Sequence, residues 1–462
     1  MGCPSDRIKN TSMKKWMIFW LLWSPLIYGQ SAGKAPVTGR LPDKELRDYL
    51  RPSVFALTMV MVHDVVNPPA ASRYYSYAMI GAYDIIAQND KSIPGPSCFI
   101  RSYTPVRIST AASNYDYRIA ALYCILETGR QLLPSGSTLE ENENRFLDSL
   151  RKKKVPSTLI TRSVAVANEV AARVVSWSKT DNYNKLSTLL RYTPLKEEGH
   201  WYPTPPAYIE AVEPHWNTIR PMVIDSSNQF PAPPLVKFSK DSTSDMYKLV
   251  KEVYDVSRQL TPEQIAIAGF WDCNPFAVNT SGHMMIGFKK ISPGGHWMDI
   301  TGIVTRQADL DLGHAILVHA VVAVTLMDAF ISCWEEKYQS SRIRPETYIN
   351  KYMDVKWQPT LQTPPFPEYT SGHSVISTAS AEVLTWLLKD NFSYTDNTEE
   401  LWDIKPRSFS SFRQAAEEAA ISRLYGGIHY RDAITGGQAE GKALGATIIE
   451  RLRTAGIKPV LR

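Results

Sequence analysis

The sequence predicts an all-α fold of two packed helical bundles, because helix start signals recur along the chain whereas strand-like alternation is scarce. A length of 462 residues is enough for one large domain or for two packed halves. The hydrophobic fraction of 44% is that of a globular protein with a substantial core.

Helix starts are marked by prolines and by capping residues. Proline fits the first turn of a helix, and a Ser or Thr followed three residues later by Glu or Gln forms a capping box. In chain order the predicted helices begin at Pro68, Ser137, Pro156, Thr261 and Ser411; the first runs to about Ile86, the third to about Lys179, and the last ends at Gly426-Gly427.

Residues 191–240 interrupt the helical pattern, because they hold nine of the 31 prolines of the chain. Such a stretch cannot be a helix interior. Its aromatic residues, such as Trp201 and Trp216, indicate an ordered segment with packing surface of its own. We therefore predict a crossover that joins an N-terminal helical half, residues 31–240, to a C-terminal helical domain, residues 241–462.

The run Ala315–Trp334 is mostly apolar and has the length of a membrane span. His319, Asp328 and Ser332 interrupt it, and an aspartate inside a lone span is costly. We therefore predict a buried central helix of a bundle, and we expect no multi-span membrane domain.

The N-terminus has the pattern of a signal peptide over residues 1–30. Lys14 and Lys15 precede the apolar run Trp16–Tyr28, and small residues follow, which is typical of an export signal. Met13, directly before the basic pair, is a second candidate for the start of the chain. An N-terminal anchor helix is the alternative interpretation, although the run is short for a membrane span.

Export would place the mature chain in the periplasm or outside the cell, in an oxidising compartment. Four cysteines then remain, which are enough for two disulfides or none. They are Cys98, Cys124, Cys273 and Cys333. Their spacing does not determine any pairing.

Neither nucleic acid nor a known metal motif is indicated by the sequence. The net charge of +5 is small for this length, and no Lys/Arg stripe with interleaved aromatic residues is present. No spacing of His, Cys, Asp or Glu matches a zinc or calcium motif. His296-Trp297 follows Gly294-Gly295 and is interpreted as part of a structured loop.

Three elements of the C-terminal half together indicate an oxyanion site. They are Lys337-x6-Arg344-Pro345, Ser371-Gly372-His373 and Ser422-Arg423-x5-His429. Each element is weak alone, because a lone charge is usually solvated and a lone Ser-Gly-His is usually a turn. A tetrahedral or trigonal-bipyramidal oxyanion needs several fixed positive charges, which Lys337, Arg344 and Arg423 supply.

The same elements add backbone donors and two imidazoles. Ser371-Gly372 precedes a helical run from about Val375 to Lys389, so its amides and hydroxyl can face an anion. His429 can serve as an axial nucleophile or ligand, and His373 can serve as a separate acid–base group.

This ordered set resembles the signature of the vanadium-dependent haloperoxidase and type 2 phosphatidic acid phosphatase (acid phosphatase) superfamily. The upstream segments that are similar to its soluble bacterial haloperoxidase branch are Pro68-Pro69-x-x-Ser72-Arg73, Pro205-Pro206-Ala207, Val212-Glu213-Pro214-His-Trp216 and Pro365-Phe366-Pro367-Glu368-Tyr369. The resemblance covers most of residues 60–455 and implies an anion site at the end of the C-terminal bundle.

The resemblance implies a role for each matching residue. The oxygens of vanadate or phosphate would be bound by Lys337, Arg344, Ser371, Gly372 and Arg423. His429 would be the ligand of vanadium, or the nucleophile of a phosphatase, and His373 and Lys337 would be the other catalytic residues. Trp334 and Phe366 would shape a halide pocket, with ordinary core packing as the alternative for both.

Two positions depart from the family pattern. Thr370 stands where the family usually has Pro, and a threonine can still cap or stiffen the turn. Many phosphatases have an Asp four residues after the last histidine, whereas Asp432 lies three residues after His429. Asp432 either orients His429 as a carboxylate partner or caps the helix that begins near Ala433.

The activity that the resemblance implies is oxidation of iodide or bromide by hydrogen peroxide, with vanadate as the cofactor. The alternative is a secreted acid phosphatase that forms a phosphohistidine at His429, because vanadate and phosphate share shape and charge type. A third possibility is a non-catalytic anion-binding protein. The expected partners are small molecules in each case: peroxide, halide, a phosphate ester or an anion.

Overall fold

The computed structural model describes residues 39–109, 114–281, 284–287 and 289–461. The α-helices are α1 Asp43–Arg47, α2 Leu50–His63, α3 Pro68–Asn89, α4 Tyr117–Leu132, α5 Glu140–Lys152, α6 Ser157–Ser178, α7 Asp245–Ser257, α8 Pro262–Phe270, α9 Pro293–Gln307, α10 Leu312–Ser340, α11 Pro345–Tyr352, α12 Gly372–Leu387, α13 Phe412–Tyr425 and α14 Arg431–Thr454. The predicted all-α class is confirmed. The predicted signal peptide, residues 1–30, lies outside the described residues.

Short elements connect the α-helices. The 3-10 helices are Pro96–Cys98, Gly136–Leu139, Tyr183–Thr188, Trp216–Thr218 and Thr398–Trp402. The strands form two antiparallel pairs, β1 Val278–Ser281 with β2 Met284–Gly287 and β3 Tyr394–Asp396 with β4 Arg407–Phe409. Neither pair forms part of a larger sheet in the described chain.

Most predicted helix starts are confirmed, because the capping residues make the expected hydrogen bonds. Thr261 and Gln264 form a full capping box at α8, and Ser411 caps α13. The capping box predicted at Ser137 is wrong. That residue lies inside the 3-10 helix Gly136–Leu139, and α5 begins with no side-chain cap.

The central helix is α10. Helices α3, α4 and α6 pack against one another, α12 packs against α13 and α14, and α10 contacts both α3 and α12. Within the described residues, α10 is the one helix that is long and apolar enough to cross a membrane, yet its apolar window is completely buried. From Arg40 onward the chain forms one compact unit. The predicted buried helix at Ala315–Trp334 is thus confirmed, and the boundary predicted at residue 240 stays a prediction.

Asp328 explains how a carboxyl group is tolerated in the middle of α10. It is completely buried and accepts the backbone N–H groups of Met222, Val223 and Ile224 at 2.7, 2.7 and 2.9 Å. Burial raises the pKa of this carboxyl to about 6. Asp328 therefore fixes the Pro-rich crossover against the central helix, since unpaired buried amides would cost about 1–3 kcal/mol each.

His296 lies in a helix rather than in the loop predicted from the sequence. Ser292 caps α9 by accepting the N–H of Gly295, and Pro293 occupies the first helical position. The glycines of Gly294-Gly295 therefore sit within the first turn of α9. His296 is completely buried.

The cysteines of the described chain do not form disulfides. Cys98 is exposed, whereas Cys124, Cys273 and Cys333 are buried, and all four are free thiols. Of the two possibilities left open by the sequence, the structure has no pairing among these four residues.

Candidate active site

The site is built where helix ends converge. Lys337 lies in the last turn of α10, and Arg344 directly precedes α11. Ser371 caps α12, Arg423 lies near the end of α13, and His429 lies just before α14. All five side chains are buried, with 0 to 3% of their surface exposed. The structure thus brings the three predicted sequence elements together at one place.

His429 is held in one tautomer by a carboxylate. Its Nδ1–H donates to Glu368 Oε1 at 2.8 Å, and its Nε2 accepts from Arg344 Nη1 at 3.1 Å. Burial and the charges of Arg344 and Lys337 hold the pKa of His429 well below its ordinary value. The ring is therefore neutral, and its Nε2 carries a lone pair that a ligand would take over from the contact with Arg344.

Glu368 is the functional residue that the sequence analysis missed. Besides His429, its Oε1 accepts the N–H of Tyr430 at 3.0 Å, and its Oε2 lies 3.5 Å from Arg342 Nε. The available signal was an acidic residue three positions before Ser371. Sequence alone did not show that it would reach His429.

Asp432 does not make the contact with His429 that was proposed for it. Its Oδ2 accepts from Arg342 Nη1 at 2.9 Å, and Arg342 in turn lies beside Glu368. It is not the cap of α14 either, because that helix begins at Arg431 after Tyr430. Asp432 therefore supports the site indirectly, through Arg342.

The two arginines of the site are desolvated and only partly satisfied. Arg344 donates from Nε to Phe366 O and from Nη1 to Ile428 O, both at 2.9 Å. Its Nη2 is buried and has no hydrogen-bond partner among the described residues. Arg423 donates from Nη2 to Trp271 O at 2.6 Å. Burial lowers the pKa of Arg344 to about 10 and also lowers that of Arg423, because it destabilises both charged side chains. An anion in the cavity would stabilise both charges.

Lys337 supports the loop that carries the site. Its Nζ donates to the carbonyls of Pro367, Glu368 and Thr370, the first two at 3.1 and 3.2 Å. The ammonium also lies 5.1 Å from the centre of the Phe366 ring. Burial lowers the pKa of Lys337 to about 8. Its direct contact with an oxyanion stays a prediction.

Ser371 and Gly372 form the N-terminus of α12, as the sequence predicted. The Ser371 hydroxyl accepts from Ser374 N at 3.4 Å, and the backbone N–H of Ser371 donates to Ala433 O at 3.0 Å. The N–H groups of Gly372 and His373 have no carbonyl acceptor within the helix. These two amides are the ones the helix terminus offers to an anion.

His373 faces the same cavity with an unpaired ring nitrogen. The ring hydrogen-bonds the main chain of Trp271, and its buried Nε2 has no partner among the residues that the structure describes. Burial and the neighbouring Arg423 and His429 hold its pKa well below the ordinary value. An unprotonated Nε2 at this position suits a proton acceptor.

Trp334 and Phe366 form an aromatic wall. Their ring centroids lie 4.9 Å apart, and Trp334 Nε1 donates to Val212 O at 3.1 Å. Both line the cavity with Gly372, His373, Arg423 and His429. Lys337, Arg344 and Ser371 lie behind this lining.

Thr370 is fixed by a buried carboxyl group. Its hydroxyl donates to Glu440 Oε2 at 2.7 Å, and Ser332 donates to Glu440 Oε1 at 2.7 Å. Ser371, not Thr370, caps α12. The threonine therefore anchors the turn through its side chain, where the family usually has the rigid ring of proline.

Comparisons with known proteins decide the family. The VCPO second helical-bundle domain matches residues 317–455. The crystal structure described as the first bacterial vanadium-dependent iodoperoxidase is 41% identical, with a TM-score of 0.81, and the match covers 88% of this chain and 96% of that chain. The chain belongs to the vanadium-dependent haloperoxidase family. A search of curated proteins found no match.

Two further structures share the fold of this haloperoxidase. One is described as an apo-type bacterial vanadium-dependent chloroperoxidase and is 14% identical, with a TM-score of 0.62. The other is described as a holo-type bacterial vanadium-dependent chloroperoxidase and is 15% identical, with a TM-score of 0.58. The matches cover 84% and 92% of this chain, and 95% of each of those chains. At this identity the likeness extends to the fold alone.

Glu368→Gln is expected to weaken orthovanadate binding by about 10- to 100-fold, because a neutral amide no longer fixes the Nδ1–H tautomer of His429. Isothermal titration calorimetry measures the effect. Glu382→Gln is the matched control, because this carboxylate on α12 bonds Arg413 outside the cavity, and it should leave the affinity almost unchanged. An equal loss in Glu382→Gln would contradict the assignment of Glu368.

Anion affinity is expected to fall as the pH rises through about 8, because Lys337 then loses its proton in the ligand-free haloperoxidase. Below about pH 8 Lys337 is already protonated, so a further fall in pH does not raise the affinity through this residue. Sulfate is a suitable probe, since it keeps its charge across neutral and alkaline pH. Burial raises the pKa of Glu440 to about 7, so Lys337→Met is needed to separate the two groups. The same alkaline step in Lys337→Met would exclude Lys337 as its source.

Proposed function

We propose that the protein oxidises halides, with iodide preferred, by hydrogen peroxide in a vanadate-dependent reaction. The buried cluster of Lys337, Arg344 and Arg423 around a neutral His429 is the observation that carries the proposal. Similarity to a vanadium-dependent iodoperoxidase at 41% identity supports both the cofactor and the halide.

The residues present fit vanadate. Arg344 Nη2 is a buried donor without a partner in the described chain, and the first amides of α12 point out of the helix. Arg344, Arg423 and the Gly372 amide would hold the oxygens, with Lys337 and Ser371 as further candidates. His429 Nε2 would be the ligand of vanadium. When bound, vanadate supplies a Lewis acid that activates hydrogen peroxide without changing its own oxidation state.

The protein groups around the cofactor manage protons and water. Glu368 keeps the proton of His429 on Nδ1, so Nε2 stays a ligand atom. His373 Nε2 would accept a proton from hydrogen peroxide as the peroxide enters, because the lowered pKa keeps this nitrogen unprotonated and it has no partner among the described residues. The aromatic wall of Trp334 and Phe366 excludes water and presents a polarisable surface to a large halide.

The test is iodide oxidation by hydrogen peroxide, measured on purified protein before and after loading with orthovanadate. We expect activity only after loading and suppression of it by phosphate, which has the same shape. His429→Ala should lose the vanadate-dependent activity, whereas His373→Ala should keep vanadate binding but turn over at least about tenfold more slowly.

The alternatives are distinguished when the same protein is assayed for halide oxidation, for phosphate-ester hydrolysis and for anion binding. Vanadate-bound, folded protein without halide oxidation would reject the proposal, and hydrolysis of a phosphate ester would then establish the phosphatase. Anion binding with neither activity would establish a binding protein. Full activity in His429→Ala would reject the site itself.

We also propose that the protein is exported to the periplasm or secreted. The support is the sequence pattern of Lys14-Lys15 followed by the apolar run Trp16–Tyr28. N-terminal sequencing of protein recovered from the producing cells is expected to give a mature chain that starts close to residue 31. A mature chain that retains Trp16–Tyr28 would instead identify an anchor.

A further inference from the structure

A second polar cluster lies next to the oxyanion site, and one of its members, Cys273, also lines the cavity of that site. Cys273 follows α8, His296 lies in α9, and Glu399 lies in the 3-10 helix Thr398–Trp402. Their ligand atoms all lie within 4.8 Å of one another, and at most 3% of each residue is exposed. The proposed function uses none of these three residues.

The distances between the three ligand atoms match those around a tetrahedral metal ion. The distance from Cys273 Sγ to His296 Nδ1 is 3.3 Å, from His296 Nδ1 to Glu399 Oε1 is 3.2 Å, and from Cys273 Sγ to Glu399 Oε1 is 3.8 Å. Zn²⁺ bonds of about 2.0–2.3 Å place tetrahedral ligands roughly 3.3–3.6 Å apart. Each observed distance lies within a few tenths of an ångström of that range.

The other nitrogen of His296 has the partner expected for a metal ligand. Its Nε2 lies 2.8 Å from Asp396 Oδ2, and Asp396 is itself held by the N–H of Thr398 at 3.0 Å. A carboxylate that accepts Nε2–H leaves the Nδ1 lone pair directed at the remaining ligands, which is the carboxylate–histidine–metal arrangement.

In the ligand-free chain each atom of this cluster has a hydrogen-bonding or ion-pair partner, and these partners lie within the cluster or at Asp396. A single Nδ1 faces both Cys273 and Glu399, and one N–H can donate fully to only one of them. The Cys273 thiol donates to Glu399 Oε1 at 3.8 Å, a weak hydrogen bond because a thiol is a weak donor. A cation between the three atoms satisfies all of them together.

We propose that Cys273, His296 and Glu399 bind a zinc ion, with Asp396 orienting His296. A thiolate, an imidazole and a carboxylate form a ligand set that Zn²⁺ accepts, and three protein ligands leave a fourth position for water. The ion fixes the segment 271–273, of which Asp272 and Cys273 line the oxyanion cavity. This segment also provides the Trp271 carbonyl that accepts from Arg423.

The test is spectroscopic and does not depend on turnover. Full-length protein treated with a chelator is titrated with Co²⁺, and circular dichroism checks that the fold is intact. We expect one Co²⁺ per chain, with a thiolate-to-cobalt charge-transfer band in the near ultraviolet and the visible bands of a tetrahedral ion. Zn²⁺ should displace the Co²⁺ and remove both signals.

Variants assign the ligands. Cys273→Ser should abolish the thiolate band, whereas Cys124→Ser, which changes a buried thiol beside Thr128, should keep it. Asp396→Asn should keep the band and weaken Co²⁺ binding by about 10- to 100-fold. His429→Ala should bind Co²⁺ like the wild type, because His429 is not one of the three proposed ligands. The Co²⁺ result therefore does not depend on whether the proposed halide oxidation is found.

Three outcomes would overturn the proposal. They are the absence of Co²⁺ binding to folded wild-type protein, survival of the thiolate band in Cys273→Ser, and loss of that band in Cys124→Ser. In the first of these cases the cluster is an imidazolium held between Asp396 and Glu399.

Discussion

The burial of three cations in one place is the constraint on which the rest of the site depends. Taking a charge such as that of Lys337 or Arg344 out of water costs several kcal/mol, and a carboxylate at contact distance would cancel the charge that an oxyanion needs. The structure instead surrounds the cations mostly with main-chain carbonyls, such as those of Phe366, Ile428 and Trp271. The cations are thereby oriented without being neutralised, and the remaining stabilisation is left to the anion.

Surrounding buried cations with main-chain carbonyls requires several helix ends in a small volume. This requirement accounts for the arrangement of helices around the site. Main-chain carbonyls and amides are free of helical partners only at helix termini and in loops. Lys337 lies in the last turn of α10, and the Gly372 amide lies in the first turn of α12. The central helix α10 is long and its apolar window is fully buried. Its Asp328 carboxylate accepts the N–H of Met222 and so joins the helix to the Pro-rich crossover.

The residues of the candidate site were predicted from the order and spacing of three elements and from the family that this set resembles, since each element is weak alone. An Arg-Pro at a helix start and a Ser-Gly-His at another are marked by neighbours within a few positions. Glu368 could not be assigned in this way, since its partner His429 lies 61 positions away and the contact depends on how α12 and α14 pack. The same reason applies to Cys273, His296 and Glu399, which come from three separate elements. His296 had a local signal in Ser292-Pro293, but the following glycines favoured a loop.

The two clusters are connected through one residue. The Trp271 carbonyl accepts from Arg423, and the Trp271 ring stacks on His296 with 4.7 Å between ring centroids and 20° between planes. The ring of His373 hydrogen-bonds the same main chain. A displacement of Trp271 would therefore move Arg423, which is proposed to bind the anion, and His373, the proposed proton acceptor, together. Among the described residues Arg423 has no carboxylate partner within 4 Å, so the Trp271 carbonyl is one of the contacts that position its guanidinium at the cavity wall.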